Sequence, residues 1–92
     1  MAVMFYYSRF NGDIGQWNVS NVKNMNSMFY YSLFNWCIGG WDVSSVETMS
    51  WMFAHSKFNR DISKWNVFNV KNKQHMFIGC PIKEEYKPKF ND

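Results

Sequence analysis

The chain has 92 residues, a formal net charge of +3 and aromatic side chains at 21% of its positions. A chain this short makes at most one small domain, so its apolar residues have to be concentrated efficiently. No run approaches the roughly 20 continuous apolar residues of a membrane-spanning helix, and the opening residues lack the basic start and apolar stretch of an export signal. Cys37, Cys80, His55 and His75 are too widely spaced for a metal motif, and no segment reads as a cofactor-binding fingerprint.

The first feature in chain order is Met4-Phe5, and it returns as Met28-Phe29, Met52-Phe53 and Met76-Phe77, a period of 24 residues without drift. A period of this length is read before any local pattern, because it governs the whole fold. Phe10-Asn11 comes next and repeats as Phe34-Asn35 and Phe58-Asn59. The segment from Ile14 to Val19 has the form I-x-x-W-[ND]-V, as do Ile38 to Val43 and Ile62 to Val67. Compared with the L-x-x-L-x-L strand of leucine-rich repeats, each predicts a short strand with its apolar side chains inward. Val22, Met25, Met28 and Phe29 follow at steps of three to four, which predicts a helical or 3₁₀-like turn. The intervening Asn and Ser residues keep it short, since their side chains compete for backbone hydrogen bonds.

These elements predict a leucine-rich-repeat-like solenoid of about three and a half coils, with short parallel β-strands on one face and irregular, 3₁₀ or short helical turns on the other. The expected core is columnar: Ile14, Ile38 and Ile62; Trp17, Trp41 and Trp65; Val19, Val43 and Val67; Met28 and Met52; Phe29 and Phe53; Phe34 and Phe58; Asn35 and Asn59. Asn11, Asn35 and Asn59 are placed for an amide ladder, and Lys23, Glu47 and Lys71 alternate in sign, which favours pairing between neighbouring coils. Cys37 and Cys80 fall in different columns about two coils apart, near 10 Å by strand spacing, so both are expected reduced. The solenoid is expected over residues 1–80. Residues 81–92, with Pro81, Pro88 and a charge cluster, read as a C-terminal cap, whereas Met4-Phe5 opens the chain in mid-coil without one.

The run from Trp17 to Asn35, W-N-V-S-N-V-K-N-M-N-S-M-F-Y-Y-S-L-F-N, resembles the BspA-like repeat family, whose repeats read W-D-V-S-N-V-T-x-M-x-x-M-F followed by F-N-x-D-I. Asp13-Ile14, Asp61-Ile62 and Trp41-Asp42-Val43-Ser44 fit as well, and Met76 to Cys80 is similar to the A-F-x-x-C ending of the related leucine-rich repeat. Cys37, Phe68 and Lys73 depart from the pattern. The resemblance implies a leucine-rich-repeat-like solenoid serving adhesion or protein binding, in a cell-surface or viral and host context, although no anchor is present in this chain.

Function is expected in the positions that do not repeat. No nucleophile, base and orienting group recur together, so the chain is expected not to be an enzyme and to need no cofactor. The leading expectation is a protein-interaction or adhesion module, with Tyr30, Tyr31, Trp36, Trp51, His55 and Phe68 as candidate partner-binding residues, since exposed aromatics are typical of interface hot spots. One alternative is a structural subunit that stacks through its uncapped N-terminal coil. A weaker one is nucleic-acid binding through Lys57, Arg60, Lys64, Lys71 and Lys73, a modest basic excess of the kind found on solvated faces.

Overall fold

The apolar residues of the 24-residue unit stand three apart at I-x-x-W, V-x-x-V and M-x-x-M, and each such pair closes a turn. In the computed structural model, which describes residues 2–90, Trp17 N–H donates to the Ile14 carbonyl, Trp41 to Ile38 and Trp65 to Ile62, each at 3.1 Å. Val22, Val46 and Val70 donate in the same way to Val19, Val43 and Val67 at 3.0 Å. The segment expected to be a strand is therefore two consecutive turns, and its amides bond three residues back along the chain.

This overturns the expected leucine-rich-repeat-like solenoid of parallel strands. Among the described residues no strand or sheet forms; the only β-type pairings are isolated parallel bridges of Asn24 with Thr48 and Thr48 with Asn72. Among the described residues the only regular helix is one 3₁₀ turn, Glu84–Tyr86. The chain folds instead as a compact body of 30 × 25 × 20 Å with a radius of gyration of 11.6 Å, close to the roughly 12 Å expected for a globule of this length.

The units nonetheless sit in register, as layers joined by backbone hydrogen bonds. Around each Met-Phe pair, odd-numbered residues donate to the next layer: Ser27 to Ser50, Phe29 to Met52 and Tyr31 to Ala54, then Trp51 to Gln74, Phe53 to Met76 and His55 to Ile78, at 2.8–3.0 Å. Even-numbered residues close turns instead, with Met28 donating to Met25, Tyr30 to Ser27 and Ser32 to Phe29. This alternation satisfies the amides of the segment without a sheet. It requires a left-handed residue at the third position of alternate turns, as in type II turns. Val3, Tyr7, Ser27, Tyr31, Trp51, His55 and His75 all have φ between 53° and 62°, and only in the last layer is the position a glycine, Gly79.

Corners are fixed by side chains that accept from the backbone two residues on. Ser8, Asp13, Asn18 and Asn24 accept from the N–H of Phe10, Gly15, Ser20 and Asn26 at 2.9–3.0 Å, and Ser32, Asp42, Ser56, Asp61, Asn66 and Asn72 repeat the motif in later layers. Such Asx and Ser turns compete with strand formation and bend the chain at each site. Asn11, Asn35 and Asn59 form the expected ladder, accepting from the N–H of Asn35, Asn59 and Lys83 at 2.8, 2.9 and 3.1 Å. The layers approach closely at Gly15 and Gly39, where a Cβ would lie 2.7 Å from the Cys37 carbonyl oxygen and 2.5 Å from that of Asp61.

The core is an aromatic and methionine stack. Phe5, Phe29, Phe53 and Phe77 lie face to face at centroid distances of 5.4, 5.4 and 5.7 Å, and Trp41 lies on Trp65 at 6.4 Å. The expected core residues Ile14, Val19, Met28, Phe29, Phe34, Ile38, Trp41, Val43, Met52, Phe53, Phe58, Ile62, Trp65 and Val67 are buried, and Asn35 and Asn59 are half-buried. Trp17 differs, with 38% of its surface exposed. Trp41 and Trp65 donate their indole N–H to the Ile14 and Ile38 carbonyls of the layer before, a contact for which Trp17 has no counterpart among the described residues. Lys23, Glu47 and Lys71 are joined through their backbones, Glu47 N–H to Lys23 and Lys71 N–H to Glu47 at 2.8 Å, while their exposed side chains form no ion pair with one another; Lys87 pairs with Glu84 instead. Both cysteines are free.

The segment expected to be a cap keeps the register longer than its composition suggests. Ile82 is buried in the column of Phe34 and Phe58, and the Tyr86 carbonyl accepts from Ile62 at 3.0 Å. Residues 1, 91 and 92, at the ends of the two expected segments, lie outside the described residues.

Candidate functional site

The left-handed positions put large rings on the outside of the Met-Phe turns. Tyr7 stacks on Tyr31 at 4.7 Å and Tyr31 on His55 at 4.8 Å, one ring per layer. Beside them Tyr6 stacks on Tyr30 at 5.1 Å, Tyr30 meets Trp51 edge-on at 5.8 Å, and Trp51 meets His75 at 4.7 Å. The result is a continuous aromatic edge crossing all four Met-Phe turns. Tyr6, Tyr7 and Tyr31 are 46%, 58% and 44% exposed, His55 and His75 are exposed, and Tyr30 and Trp51 are half-buried. Partial burial, then the neighbouring phenols of Tyr31, Tyr7 and Tyr6, raise the pKa of Tyr30 above its ordinary value.

Four of the six residues singled out from sequence belong to this edge: Tyr30, Tyr31, Trp51 and His55. Trp36 and Phe68 do not join it. Trp36 remains 41% exposed, but its indole N–H donates to the Asn11 carbonyl at 2.8 Å. Arg60 does the same one layer on, Nε to the Asn35 carbonyl at 3.1 Å, so Trp and Arg exchange at this position because each supplies an N–H at the same height. Phe68 is 73% exposed and stands apart from the other rings. His75, in the column of Ser27 and Trp51, was not among the residues singled out from sequence, although the ring at Trp51 in the same column was a signal for it.

The edge is a flat surface. The described residues enclose no pocket, hold no cluster of potential metal ligands and leave no buried side-chain N or O atom without a hydrogen bond; none of their helices is long and apolar enough to cross a membrane. Away from the edge, Asp42 and Asp61 accept from the hydroxyl and backbone N–H of Ser44 and Ser63, which lowers their pKa values. Burial raises that of the Cys80 thiol, whose Sγ lies 3.2 Å from the Phe58 carbonyl. Of the basic residues, Arg60 is engaged as described, and Lys73 Nζ lies 5.2 Å from the Phe90 ring centroid.

This turn-built aromatic chain matches one family over residues 1–87, described as Mycoplasma protein of unknown function, DUF285. The chain belongs to that family. No curated protein and no solved structure matches it.

Proposed function

We propose that the chain is a non-enzymatic protein-interaction module whose binding surface is the aromatic edge formed by Tyr6, Tyr7, Tyr30, Tyr31, Trp51, His55 and His75. The observation that carries this reading is backbone strain at the edge itself. Tyr7, Tyr31, Trp51, His55 and His75 occupy left-handed backbone, which costs an L-residue about 1–2 kcal/mol and favours glycine or asparagine. Gly79 occupies the same column as Tyr7, Tyr31 and His55, so the fold accepts glycine there. Tyr7, Tyr31, His55 and His75 are exposed there and serve packing poorly, and such rings are what a hot spot requires: large, stiff and amphipathic side chains. The likeness of the W-[ND]-V-S and M-F columns to BspA-like adhesion repeats supports the same reading.

The strain also supplies a clean test. Tyr31→Gly and His55→Gly relieve the left-handed conformation while deleting the rings, so the fold is expected to survive with its melting temperature within a few degrees of the wild type. A partner isolated by affinity capture is then titrated against both variants by calorimetry. Each glycine is expected to weaken binding by about 2 kcal/mol or more, the cost of truncating a hot-spot aromatic. Unchanged affinity in both would move the site off this edge.

A further inference from the structure

The stacking that builds the aromatic edge also fixes what the edge offers to solvent. Tyr7, Tyr31 and His55 lie face on face, as do Tyr6 and Tyr30, so the rings cover one another's faces and turn their rims outward. The two files stand nearly at right angles, Tyr6 to Tyr7 at 75° and Tyr30 to Tyr31 at 73°, which makes a ridged corner and not a platform for a flat ligand. Its polar groups supply donors. The hydroxyls of Tyr6, Tyr7, Tyr30 and Tyr31 and the indole N–H of Trp51 have no hydrogen bond among the described residues. Two residues past the Tyr7, Tyr31 and His55 ladder runs a further column, Arg9, Leu33 and Lys57, all exposed. It keeps the register, because Leu33 N–H donates to the Ser8 carbonyl at 3.2 Å and Lys57 N–H to that of Ser32 at 3.1 Å. Arg9 and Lys57 therefore stand two layers apart on one flank of the edge. Neither forms an ion pair among the described residues, and residues 1–12, 25–36 and 49–60, which carry this side of the first three layers, contain no Asp or Glu.

From these features we infer that the partner of the edge is a proline-rich segment in the polyproline II conformation, with acidic residues one turn apart; this rests on the edge being the binding surface. Polyproline II repeats every three residues at ~3.1 Å each, roughly 9.3 Å per turn. The two layer steps from Tyr7 to Tyr31 and from Tyr31 to His55, 4.7 and 4.8 Å, cover nearly the same length. A segment in this conformation makes no internal hydrogen bonds, so its carbonyls are open to the phenol and indole donors. Proline brings no N–H that binding would leave unpaired. Its rings seat between aromatic ridges, the mode by which such segments dock on aromatic surfaces. Acidic side chains three residues apart lie along one side of the segment, and two successive ones face Arg9 and Lys57. The segment is extended before it binds and loses little conformational freedom, which suits an edge without a pocket.

Titration of a capped peptide of three Glu-Pro-Pro repeats into isotope-labelled protein, followed by heteronuclear NMR, tests this. Peptides of three Lys-Pro-Pro and three Glu-Ala-Gly repeats are the controls, the first reversing the charge and the second removing the polyproline conformation. The Glu-Pro-Pro peptide is expected to bind at least about tenfold more tightly than either control. Lys57→Glu and Tyr31→Phe change an exposed charge and a hydroxyl while keeping the ring ladder, and calorimetric melting shows that they are folded. Each is expected to weaken the Glu-Pro-Pro peptide by about threefold or more. Binding no tighter than that of the controls would overturn the proposal and leave the edge to a partner of other chemistry, which the glycine variants test separately. Affinity unchanged by either Lys57→Glu or Tyr31→Phe would overturn it as well, and affinity that Tyr31→Gly and His55→Gly also leave unchanged would remove the edge as the binding surface.

Discussion

Trp41 and Trp17 occupy the same column but differ in cover, so paired alanine substitutions read out the contribution of a layer contact. Trp41 is 4% exposed, stacks on Trp65 and Phe29 at 6.4 Å, and donates its indole N–H to the Ile14 carbonyl at 3.1 Å. A buried tryptophan removes about 150–250 Å² from water, worth roughly 4–6 kcal/mol as an upper bound at 25 cal/mol per Å². Allowing for the retained Cβ and partial collapse of the space, Trp41→Ala should cost about 3–5 kcal/mol. A chain of this size has about 5–14 kcal/mol in total, and each kcal/mol lowers the melting temperature by about 4–8 °C. Trp17→Ala should cost roughly half as much, since that ring is 38% exposed and has no equivalent indole bond among the described residues. Differential scanning calorimetry is the suitable assay, because a fold almost without helix or strand gives a weak far-ultraviolet signal. Equal losses at the two positions would refute the reasoning, since the layer beneath Trp41 would then contribute nothing.

Asn59→Ala removes the acceptor for Lys83 N–H and should cost about 1–2 kcal/mol by urea denaturation, whereas Asn59→Asp, which keeps an acceptor oxygen, should cost less. Gly79→Ala combines a φ of 68° with a Cβ 2.4 Å from His55 Nδ1, and should lower the melting temperature through about 1–2 kcal/mol of strain even if the ring moves aside. Asp42 and Asp61 have pKa values lowered in the folded state, so the stability they contribute is complete above the ordinary value of 3.8 and is lost as pH falls through their folded values. A double Asp42→Asn/Asp61→Asn variant should therefore show a flatter acid limb in a plot of melting temperature against pH. Iodoacetamide followed by mass spectrometry should label exposed Cys37 well before Cys80, whose thiol is partly buried and raised in pKa.

The period and the columns were legible because every layer demands the same residue at the same place. Phe29, Phe34, Met52 and Ile38 could be assigned to the core from repetition alone, and the Asn11 ladder from amide chemistry. The backbone between them was misread for a physical reason: I-x-x-W suits a leucine-rich-repeat strand and a closed turn equally well at the level of spacing. The deciding information lay in the polar columns, where Ser8, Asp13, Asn18 and Asn24 each turn the chain by accepting from two residues ahead. The aromatic edge was half visible, since Tyr30, Tyr31, Trp51 and His55 stood out as large residues in turn positions. The left-handed conformation of Tyr31, Trp51 and His55 was hidden, because only Gly79 among the eight described residues with positive φ advertises it in the sequence. Trp36 could not be told from the binding rings without seeing its indole N–H on the Asn11 carbonyl.

The account rests on layers joined by odd-numbered amides, and amide hydrogen exchange measured residue by residue tests it most directly. Trp51, Phe53 and His55 donate to the next layer, so their N–H groups should exchange slowly, at rates approaching global unfolding. His75, Phe77 and Gly79 stand in the same columns but donate to no backbone carbonyl among the described residues, and should exchange orders of magnitude faster. Equal protection of the two sets, or none in the first, would contradict the layered fold.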